Sequence, residues 1–339
     1  MKRLSMTRLD ASTAFGPRAA RRRARGAGLW LCGLLALTGT AATQDGLPLT
    51  GHQNYVTSLD FSRDGKLLVS GSADYSIRIW NVADGMLLRA IERAHDQGVN
   101  GVAFSPDGSL VASAGFDRAV RLWKVETGEP VHTFSGHFGR ADDVVFSPDG
   151  KHLVSCGLDP FIKVWDVAGR AEWKTLEDAH EHGVGGVAFA ANGRLLLSAG
   201  WNQEIKSWSF PAGKEQKTVL KSHDDPILCL VVDPRSRSMA TGGRDGTVFV
   251  WQLPKVKKLV DFRSDVDQVH DLAFDPTGQQ LVVVGMRGGV EVWDVRRARM
   301  LRRHEGHEGL VRTCRFTPDG KWLATAGEDK EIRFWKTGK

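Results

Sequence analysis

The sequence predicts an all-β protein in which one unit is repeated seven times, and three observations support this prediction. Seven tryptophans recur at nearly constant spacing over residues 80–335. Short runs rich in Val, Ala, Leu and Phe alternate with turn sequences such as Ser-Pro-Asp-Gly, which is typical of successive hairpins. A histidine stands near the start of six units. The pattern therefore favours many short antiparallel strands.

The tryptophan spacing defines the size of the unit. The intervals are 43, 42, 43, 43, 42 and 42 residues, and the residues are Trp80, Trp123, Trp165, Trp208, Trp251, Trp293 and Trp335. A repeat of this length with a His near its start and a Trp near its end is typical of propeller blades. Strands that are apolar on both faces also suit small sheets packed radially around a channel.

On these residues the chain resembles the WD-repeat family across nearly all of residues 46–339. The resemblance implies a seven-bladed β-propeller of four-stranded antiparallel blades, formed by residues 43–339. The seventh unit ends three strands into its blade, and residues 45–50 precede the first Gly-His pair. In this family an N-terminal strand commonly completes the last blade. We therefore expect residues 47–50 to pair with residues 332–335 and to close the ring.

Ser70, Asp74 and His52 raise the question of a hydrolytic triad. The same three positions recur in five further units, and six copies of one active site argue against an enzyme. The resemblance implies instead that His, Ser or Thr, Asp or Asn, and Trp form a hydrogen-bonded structural tetrad within each blade, which would satisfy every buried polar group. These predicted tetrads are His52, Ser70, Asp74, Trp80; His95, Ser113, Asp117, Trp123; His137, Ser155, Asp159, Trp165; His180, Ser198, Asn202, Trp208; His223, Thr241, Asp245, Trp251; and His307, Thr325, Asp329, Trp335.

The sixth unit departs from the tetrad pattern. Asp265 stands where His is expected, Val283 replaces Ser or Thr, and Arg287 replaces Asp. Two interpretations remain open: an Asp265–Arg287 ion pair of reversed polarity joins the same loops, or the blade has lost its network and depends on apolar packing.

The charge of the chain is concentrated in its first 42 residues. The formal net charge is +6, but residues 1–42 hold eight basic residues and one acidic residue, which leaves 38 basic and 39 acidic residues in the remainder. A polybasic run followed by an apolar segment and small residues is the order of a signal peptide, so we expect a cleavable leader over residues 1–42 and an exported protein that is secreted, periplasmic or envelope-associated. A mitochondrial presequence, or a misplaced start with a cytoplasmic protein, is the alternative. The neutral remainder predicts no nucleic-acid partner, and no membrane span is expected after the leader.

Three cysteines follow the leader, namely Cys156, Cys229 and Cys314. They build no disulfide framework, and we expect buried, unpaired thiols on inner strands. No metal-ligand or haem motif is found, so the sequence predicts neither a metal nor a cofactor.

The function expected from these features is a noncatalytic scaffold that binds a protein or peptide partner. The alternative is an envelope or periplasmic propeller acting as a ligand-binding or enzyme-associated subunit. In the family that the chain resembles, the residue before the tetrad Asp and the third and fifth residues after the tetrad His surround the channel mouth on the top face. The candidate partner-binding residues chosen from these positions are Tyr55, Phe116, Arg140, Leu158, Trp201, Arg244, Met286, Leu310 and Arg312.

Overall fold

The computed structural model describes residues 48–219 and 222–338. They form seven antiparallel sheets, whose strands pair in sequence order from the inside of the ring to its edge. The predicted leader over residues 1–42 and its cleavage site lie outside the described residues, as does residue 47 of the predicted closing strand.

The seven sheets are the blades of a β-propeller. Blades 1 to 3 contain β1 (Val56–Phe61), β2 (Leu67–Ser72), β3 (Ile77–Asn81), β4 (Leu87–Ile91); β5 (Val99–Phe104), β6 (Leu110–Gly115), β7 (Ala119–Lys124), β8 (Pro130–Ser135); and β9 (Ala141–Phe146), β10 (His152–Gly157), β11 (Ile162–Asp166), β12 (Ala171–Leu176). Blades 4 and 5 contain β13 (Val184–Ala190), β14 (Leu195–Gly200), β15 (Ile205–Ser209), β16 (Lys214–Val219); and β17 (Ile227–Val232), β18 (Ser238–Gly243), β19 (Thr247–Gln252), β20 (Lys257–Arg263). Blades 6 and 7 contain β21 (Val269–Phe274), β22 (Gln280–Gly285), β23 (Val290–Asp294), β24 (Arg299–His304); and β25 (Val311–Phe316), β26 (Trp322–Gly327), β27 (Ile332–Lys336). The turn Ala191–Gly193, whose three residues all have positive φ, connects β13 to β14 in blade 4.

The inner strands surround a central channel. Each of β1, β5, β9, β13, β17, β21 and β25 contacts the inner strand of the next blade, and β25 contacts β1. Three inner-strand carboxylates also accept a backbone N–H from the following blade: Asp60 from Phe104 at 2.8 Å, Asp143 from Val187 at 3.2 Å and Asp271 from Cys314 at 3.0 Å. Neighbouring blades are therefore joined by hydrogen bonds as well as by packing.

The apolar core consists of seven clusters rather than one. Most of them fill the space between two adjacent blades, as where Ile79 and Ile91 of blade 1 pack with Phe104 and Trp123 of blade 2. Side chains on both faces of a blade are therefore buried, which explains the continuous apolar runs in the sequence.

The ring is closed by the N-terminal segment, as predicted. Leu49 donates its backbone N–H to Ile332 O at 2.8 Å and accepts from Ile332 N at 3.1 Å, which makes an antiparallel bridge beside β27. Its side chain packs on the apolar cluster shared by blades 1 and 7. Among the described residues this pairing is made by Leu49, and residue 47 of the predicted strand lies outside them.

The turn between the first two strands of a blade shows why Ser-Pro-Asp-Gly recurs. In blade 2, Ser105 Oγ donates to Asp107 Oδ1 at 2.6 Å and accepts the backbone N–H of Leu110 at 2.9 Å. Gly108 has φ +74°, a conformation that favours glycine. We call the face with these turns the bottom face, and the face with the tetrad His and Asp loops the top face.

All three predicted thiols are buried and free. Cys229 and Cys314 lie on the inner strands β17 and β25. Cys156 lies on β10, the second strand of blade 3, so the expectation of an inner strand is wrong for this residue. Burial raises the pKa of each thiol well above its ordinary value, which keeps the thiolate scarce.

Candidate protein-interaction face

Six blades bring their His, Ser or Thr, Asp or Asn, and Trp side chains together. The hydroxyl lies 2.7–2.9 Å from His Nε2, and Trp Nε1 donates to the same hydroxyl oxygen at 2.7–3.0 Å. His Nδ1 lies within 3.5 Å of the Asp or Asn oxygen in every case. Because the six hydroxyl-bearing residues are 0% exposed, their hydroxyl groups offer no open side to a substrate.

In blade 2 the electrostatics of the tetrad favour a neutral histidine beside an ionised aspartate. Burial lowers the pKa of His95 below its ordinary value. Burial on its own would raise the pKa of Asp117, but the hydrogen bond from His95 and the backbone N–H of Asp96 contribute to lowering it to about 2. The Arg121 guanidinium is also paired with Asp117 at 3.0 Å.

Blade 4 has Asn202 in the place of this aspartate, and its network is weaker. Asn202 Oδ1 accepts from His180 Nδ1 at 3.0 Å. The tetrad carboxylates of blades 1, 2, 3 and 5 also accept the backbone N–H of the residue after the histidine, as Asp117 does from Asp96 at 3.0 Å. No corresponding bond from Glu181 is present in the described part of blade 4.

We expect Asn202→Asp to raise the free energy of unfolding by about 1 kcal/mol at pH 7, because the new carboxylate can accept from Glu181 and pair with Lys206. If its folded-state pKa is lowered as that of Asp117 is, the gain is fully present above the unfolded value of about 4 and is lost as the pH falls toward 2. Urea unfolding of both proteins across this range measures the difference.

The matched control is Asn192→Asp on the exposed turn between β13 and β14 of the same blade, for which a change within about 0.5 kcal/mol is expected. An Asn202→Asp protein that is no more stable at pH 7, or whose gain persists at pH 2, would contradict the prediction.

Blade 6 replaces the tetrad with a network around Glu291, which is 0% exposed. Trp293 Nε1 donates to Glu291 Oε2 at 2.9 Å, and Ser264 Oγ donates to the same oxygen at 2.6 Å. Glu291 Oε1 accepts the backbone N–H of Asp265 and pairs with Arg303 Nη1, both at 3.2 Å. The buried Trp therefore keeps a hydrogen-bond acceptor, although it comes from a different position in the chain.

Neither interpretation of blade 6 offered by the sequence is right. The Asp265 and Arg287 side chains are exposed, and within the described residues no ion pair joins them. The blade has not lost its polar network either. The signal for Glu291 was its position two residues before the Trp, where five of the other blades carry Arg or Lys and blade 5 carries Phe249.

The top face is built on a backbone hydrogen bond that recurs in all seven blades at 2.9–3.3 Å. The donors are the residues before the tetrad Asp position, namely Ala73, Phe116, Leu158, Trp201, Arg244, Met286 and Glu328. The acceptors are the carbonyl oxygens of Tyr55, Gly98, Arg140, Gly183, Pro226, Gln268 and Leu310. The backbones of the two top-face loops are therefore joined in the same way in every blade.

Five of the nine candidate residues line one cavity of about 450 Å³ at this mouth: Tyr55, Phe116, Arg140, Trp201 and Arg312. The Arg140 guanidinium lies 5.3 Å from the Phe116 ring centroid and 5.8 Å from that of Trp201. Arg312 lies 4.2 Å from the Tyr55 ring across the junction of blades 7 and 1. At this mouth two arginines thus make three contacts with aromatic rings.

Arg140 is held in place by a half-buried carboxylate, that of Asp142. Its Nε donates to Asp142 Oδ1 at 2.8 Å, and Asn100 Nδ2 donates to the same oxygen at 2.9 Å. Burial raises the pKa of Asp142 to about 6, against the opposing effect of Arg140. The guanidinium plane is therefore oriented by blades 2 and 3 together.

The remaining candidates are dispersed. Leu158 and Met286 are 42% and 45% exposed, and Arg244 is also exposed. Leu310 is 5% exposed, so its side chain contributes to packing and offers no contact surface.

Sequence reasoning missed Phe138, which is 76% exposed on the top side of blade 3, 5.7 Å from the ring of Phe161. Its signal was an aromatic residue directly after a tetrad His, where the other five tetrad blades have polar residues. We call Phe116, Phe138, Arg140, Leu158 and Trp201 the top-face patch.

Comparison with known proteins identifies the repeat. The family WD domain, G-beta repeat matches residues 45–81, 87–124, 128–166, 173–209, 213–252 and 298–336. The unmatched interval between residues 252 and 298 covers most of blade 6, the blade without a tetrad. With more than half of its length matched, the chain belongs to the WD-repeat family. Propellers of this family are in general noncatalytic scaffolds that bind proteins.

The similarity to curated proteins is confined to short segments. The chain is 41% identical over 49 residues to Lissencephaly-1 homolog 1 of Paramecium tetraurelia, covering 14% of this chain and 12% of that protein. It is 49% identical over 41 residues to WD repeat-containing protein 18 of Mus musculus, covering 12% and 10%. It is 47% identical over 38 residues to Echinoderm microtubule-associated protein-like 3 of Mus musculus, covering 11% and 4%. The matches thus span 12% or less of these relatives' lengths.

In the described parts of the chain, no helix has the length and hydrophobicity needed to cross a membrane. Nor do His, Cys, Asp or Glu side chains there form a group of three or more that could hold a metal ion.

Proposed function

We propose that this protein is a noncatalytic scaffold that binds a protein partner through the top-face patch. The observation that supports this proposal best is the Phe116–Arg140–Trp201 stack on the channel mouth. Aromatic residues and Arg supply most of the binding energy at protein interfaces. Here the rings and the guanidinium are half-buried before any partner binds, so little side-chain entropy would be lost on association.

The top-face patch extends beyond this stack onto blade 3. Phe138 and Leu158 lie on the same corner of blade 3, where the backbone N–H groups of Phe138 and Gly139 both bond to Asp159. Exposed apolar groups therefore surround a partly buried cationic centre. This composition fits a protein or peptide that presents an apolar or aromatic side chain together with a carboxylate for Arg140.

We also propose that the partner is met after export, because residues 1–42 have the order of charged, apolar and small residues found in signal peptides. The tagged protein can be used to capture partners separately from the envelope or secreted fraction and from the cytoplasmic fraction of the cells that express it. A partner captured specifically from the first fraction supports export.

Trp201→Ala combined with Phe116→Ala should weaken binding of a captured partner by about 2 kcal/mol or more, or roughly thirtyfold, while the protein stays folded. The affinities of the purified variants for that partner, measured by calorimetry or surface plasmon resonance, test this. Trp173→Ala on β12 is the matched control, because Trp173 is 44% exposed and belongs to an outer strand. A partner that keeps its full affinity for the double variant would contradict the top-face assignment.

A further inference from the structure

The bottom face differs between two halves of the ring, and the difference begins in the turns. In blades 1, 2, 3 and 7 the turn between the first two strands carries an exposed acid at its third position: Asp64, Asp107, Asp149 and Asp319. In blades 1 and 7 these acids pair with Lys66 and Lys321 at 3.3 and 3.2 Å. The acids of these two turns are therefore each neutralised by a neighbouring lysine, and the blade 1 turn carries one further exposed cation, Arg63.

Blades 4, 5 and 6 lack this exposed acid. The blade 4 turn, Ala190 to Arg194, has no acidic residue. In blades 5 and 6 the acid occupies the first position of the turn, where Asp233 and Asp275 are 3% and 1% exposed. Each accepts backbone N–H groups of its own turn, including those of Arg235 and Arg237 in blade 5 and those of Gln279 and Gln280 in blade 6. The carboxylates are thus directed inward.

Exposed cations lie on the part of the bottom face where the turns present no carboxylate. We call Arg194, Arg235, Arg237, Lys255, Arg296 and Arg299 the basic crescent; all six are exposed on the bottom loops or strand ends of blades 4 to 6. None of them has an ion-pair partner among the described residues, whereas their neighbour Arg297 pairs with Asp294 at 3.1 Å. Unpaired cations of one sign on adjacent loops add to a local positive field.

The crescent is held on a rigid support. A backbone hydrogen bond joins the two bottom loops within each blade, as from Phe210 to Arg194 O and from Leu253 to Arg237 O. Lys217 of blade 4 also donates to the backbone oxygen of Val256 in the blade 5 loop at 3.2 Å. The backbone that carries the cations is therefore fixed before a partner binds.

An apolar funnel of about 540 Å³ opens beside the crescent at the lower end of the channel. Its walls are mostly apolar and include the half-buried Phe146, Phe189, Val232 and Phe316, and Pro234 and Pro276 of the turns in blades 5 and 6. Asp143 and Arg315 of the inner strands also line it. Cavities of this size accommodate apolar side chains or small ligands.

We propose that the bottom face is a second docking surface, which binds an acidic protein segment whose apolar side chain enters the funnel. Because the basic crescent is positively charged, a partner segment of complementary charge is anionic. The apolar groups are recessed between prolines and do not protrude, which fits a side chain inserted from a partner and not insertion of this face into a lipid bilayer. The proposal is independent of the top-face patch, since the two surfaces lie on opposite faces.

The test uses fluorescence anisotropy of the native protein with a labelled peptide in which two phenylalanines stand among glutamates. We expect it to bind, and to bind more weakly as salt rises. Arg235→Ser combined with Arg237→Ser and Arg296→Ser should weaken binding by about tenfold or more. The matched control, Lys66→Ser combined with Lys151→Ser and Lys321→Ser, removes equal charge from the turns of blades 1, 3 and 7 and should leave the affinity within about twofold.

A second probe, in which serines replace the phenylalanines, should bind about tenfold more weakly if the funnel takes an apolar side chain. Failure of the phenylalanine peptide to bind, or equal binding by the crescent and control variants, would overturn the proposal. Vesicles containing phosphatidylserine, or a DNA duplex, serve as competing probes. If either bound more tightly than the peptide and lost affinity to the same extent in the crescent variant, the proposal would also be overturned.

Discussion

Glu291→Ala is expected to lower the free energy of unfolding by about 3 kcal/mol, because it removes the acceptor of a buried network. The Trp293 Nε1–H and the Ser264 hydroxyl would lose their common partner. Arg303 would lose a carboxylate that is fully buried, although its own side chain keeps 28% exposure and can regain some water. Urea unfolding monitored by tryptophan fluorescence measures the loss.

Two variants separate the parts of this effect. Glu291→Gln retains an acceptor oxygen for Trp293 and should cost less than the alanine variant. Arg303→Ala should also cost less, since Trp293 and Ser264 keep their bonds to Glu291. If Glu291→Ala lowered stability by less than about 1 kcal/mol, apolar packing alone would be sufficient to hold blade 6.

Deletion of residues 43–50 is expected to lower the free energy of unfolding by about 2 to 4 kcal/mol and to promote aggregation. The estimate combines two backbone hydrogen bonds between Leu49 and Ile332 with loss of the Leu49 side chain from its apolar cluster. Without this segment β27 becomes an open sheet edge, which is a template for pairing with other chains. Thermal unfolding and light scattering measure the two effects.

A pair of proline variants tests whether backbone pairing is the cause. Leu49→Pro removes the N–H that bonds to Ile332 and should reproduce much of the loss. Thr50→Pro is the control, because Thr50 is exposed and its N–H makes no backbone hydrogen bond in the described structure. A deletion protein with an unchanged melting temperature would show that the ring does not require this segment.

The repeat made most of the fold predictable, because each Trp marks the same point in a blade and its neighbours recur with it. Six networks could be located for that reason. Blade 6 could not be predicted in this way, since Glu291 takes the place of the Ser or Thr from a different strand. Aligning blade 6 with the other blades singled out Asp265 and Arg287, because they occupy the tetrad positions. The indole N–H of Trp293 needs only a hydrogen-bond acceptor within reach, whatever its position in the repeat.

Contacts between blades were only partly predictable, because the repeat placed these positions around one channel mouth without showing which side chains meet. Tyr55 and Arg312 are separated by most of the chain and meet only because the ring closes. Arg140 stacks on residues from the blades on either side of its own, Phe116 and Trp201. Leu310 followed the same positional rule as Tyr55 and Arg140, yet its side chain is buried. Position in the repeat thus predicts where a backbone lies better than where its side chain points.

The recurring backbone bond of the top face has a consequence for how this protein can change over generations. The bond joins main-chain atoms only, and residues as different as Ala73, Trp201 and Glu328 donate it equally well. If this face binds the proposed partner, mutations at these loop positions would alter what it recognises at little cost to folding, because the bond does not depend on the side chain. Most of the residues proposed to bind a partner would then differ from those that hold the blades together, which makes this face suitable for directed evolution toward new partners.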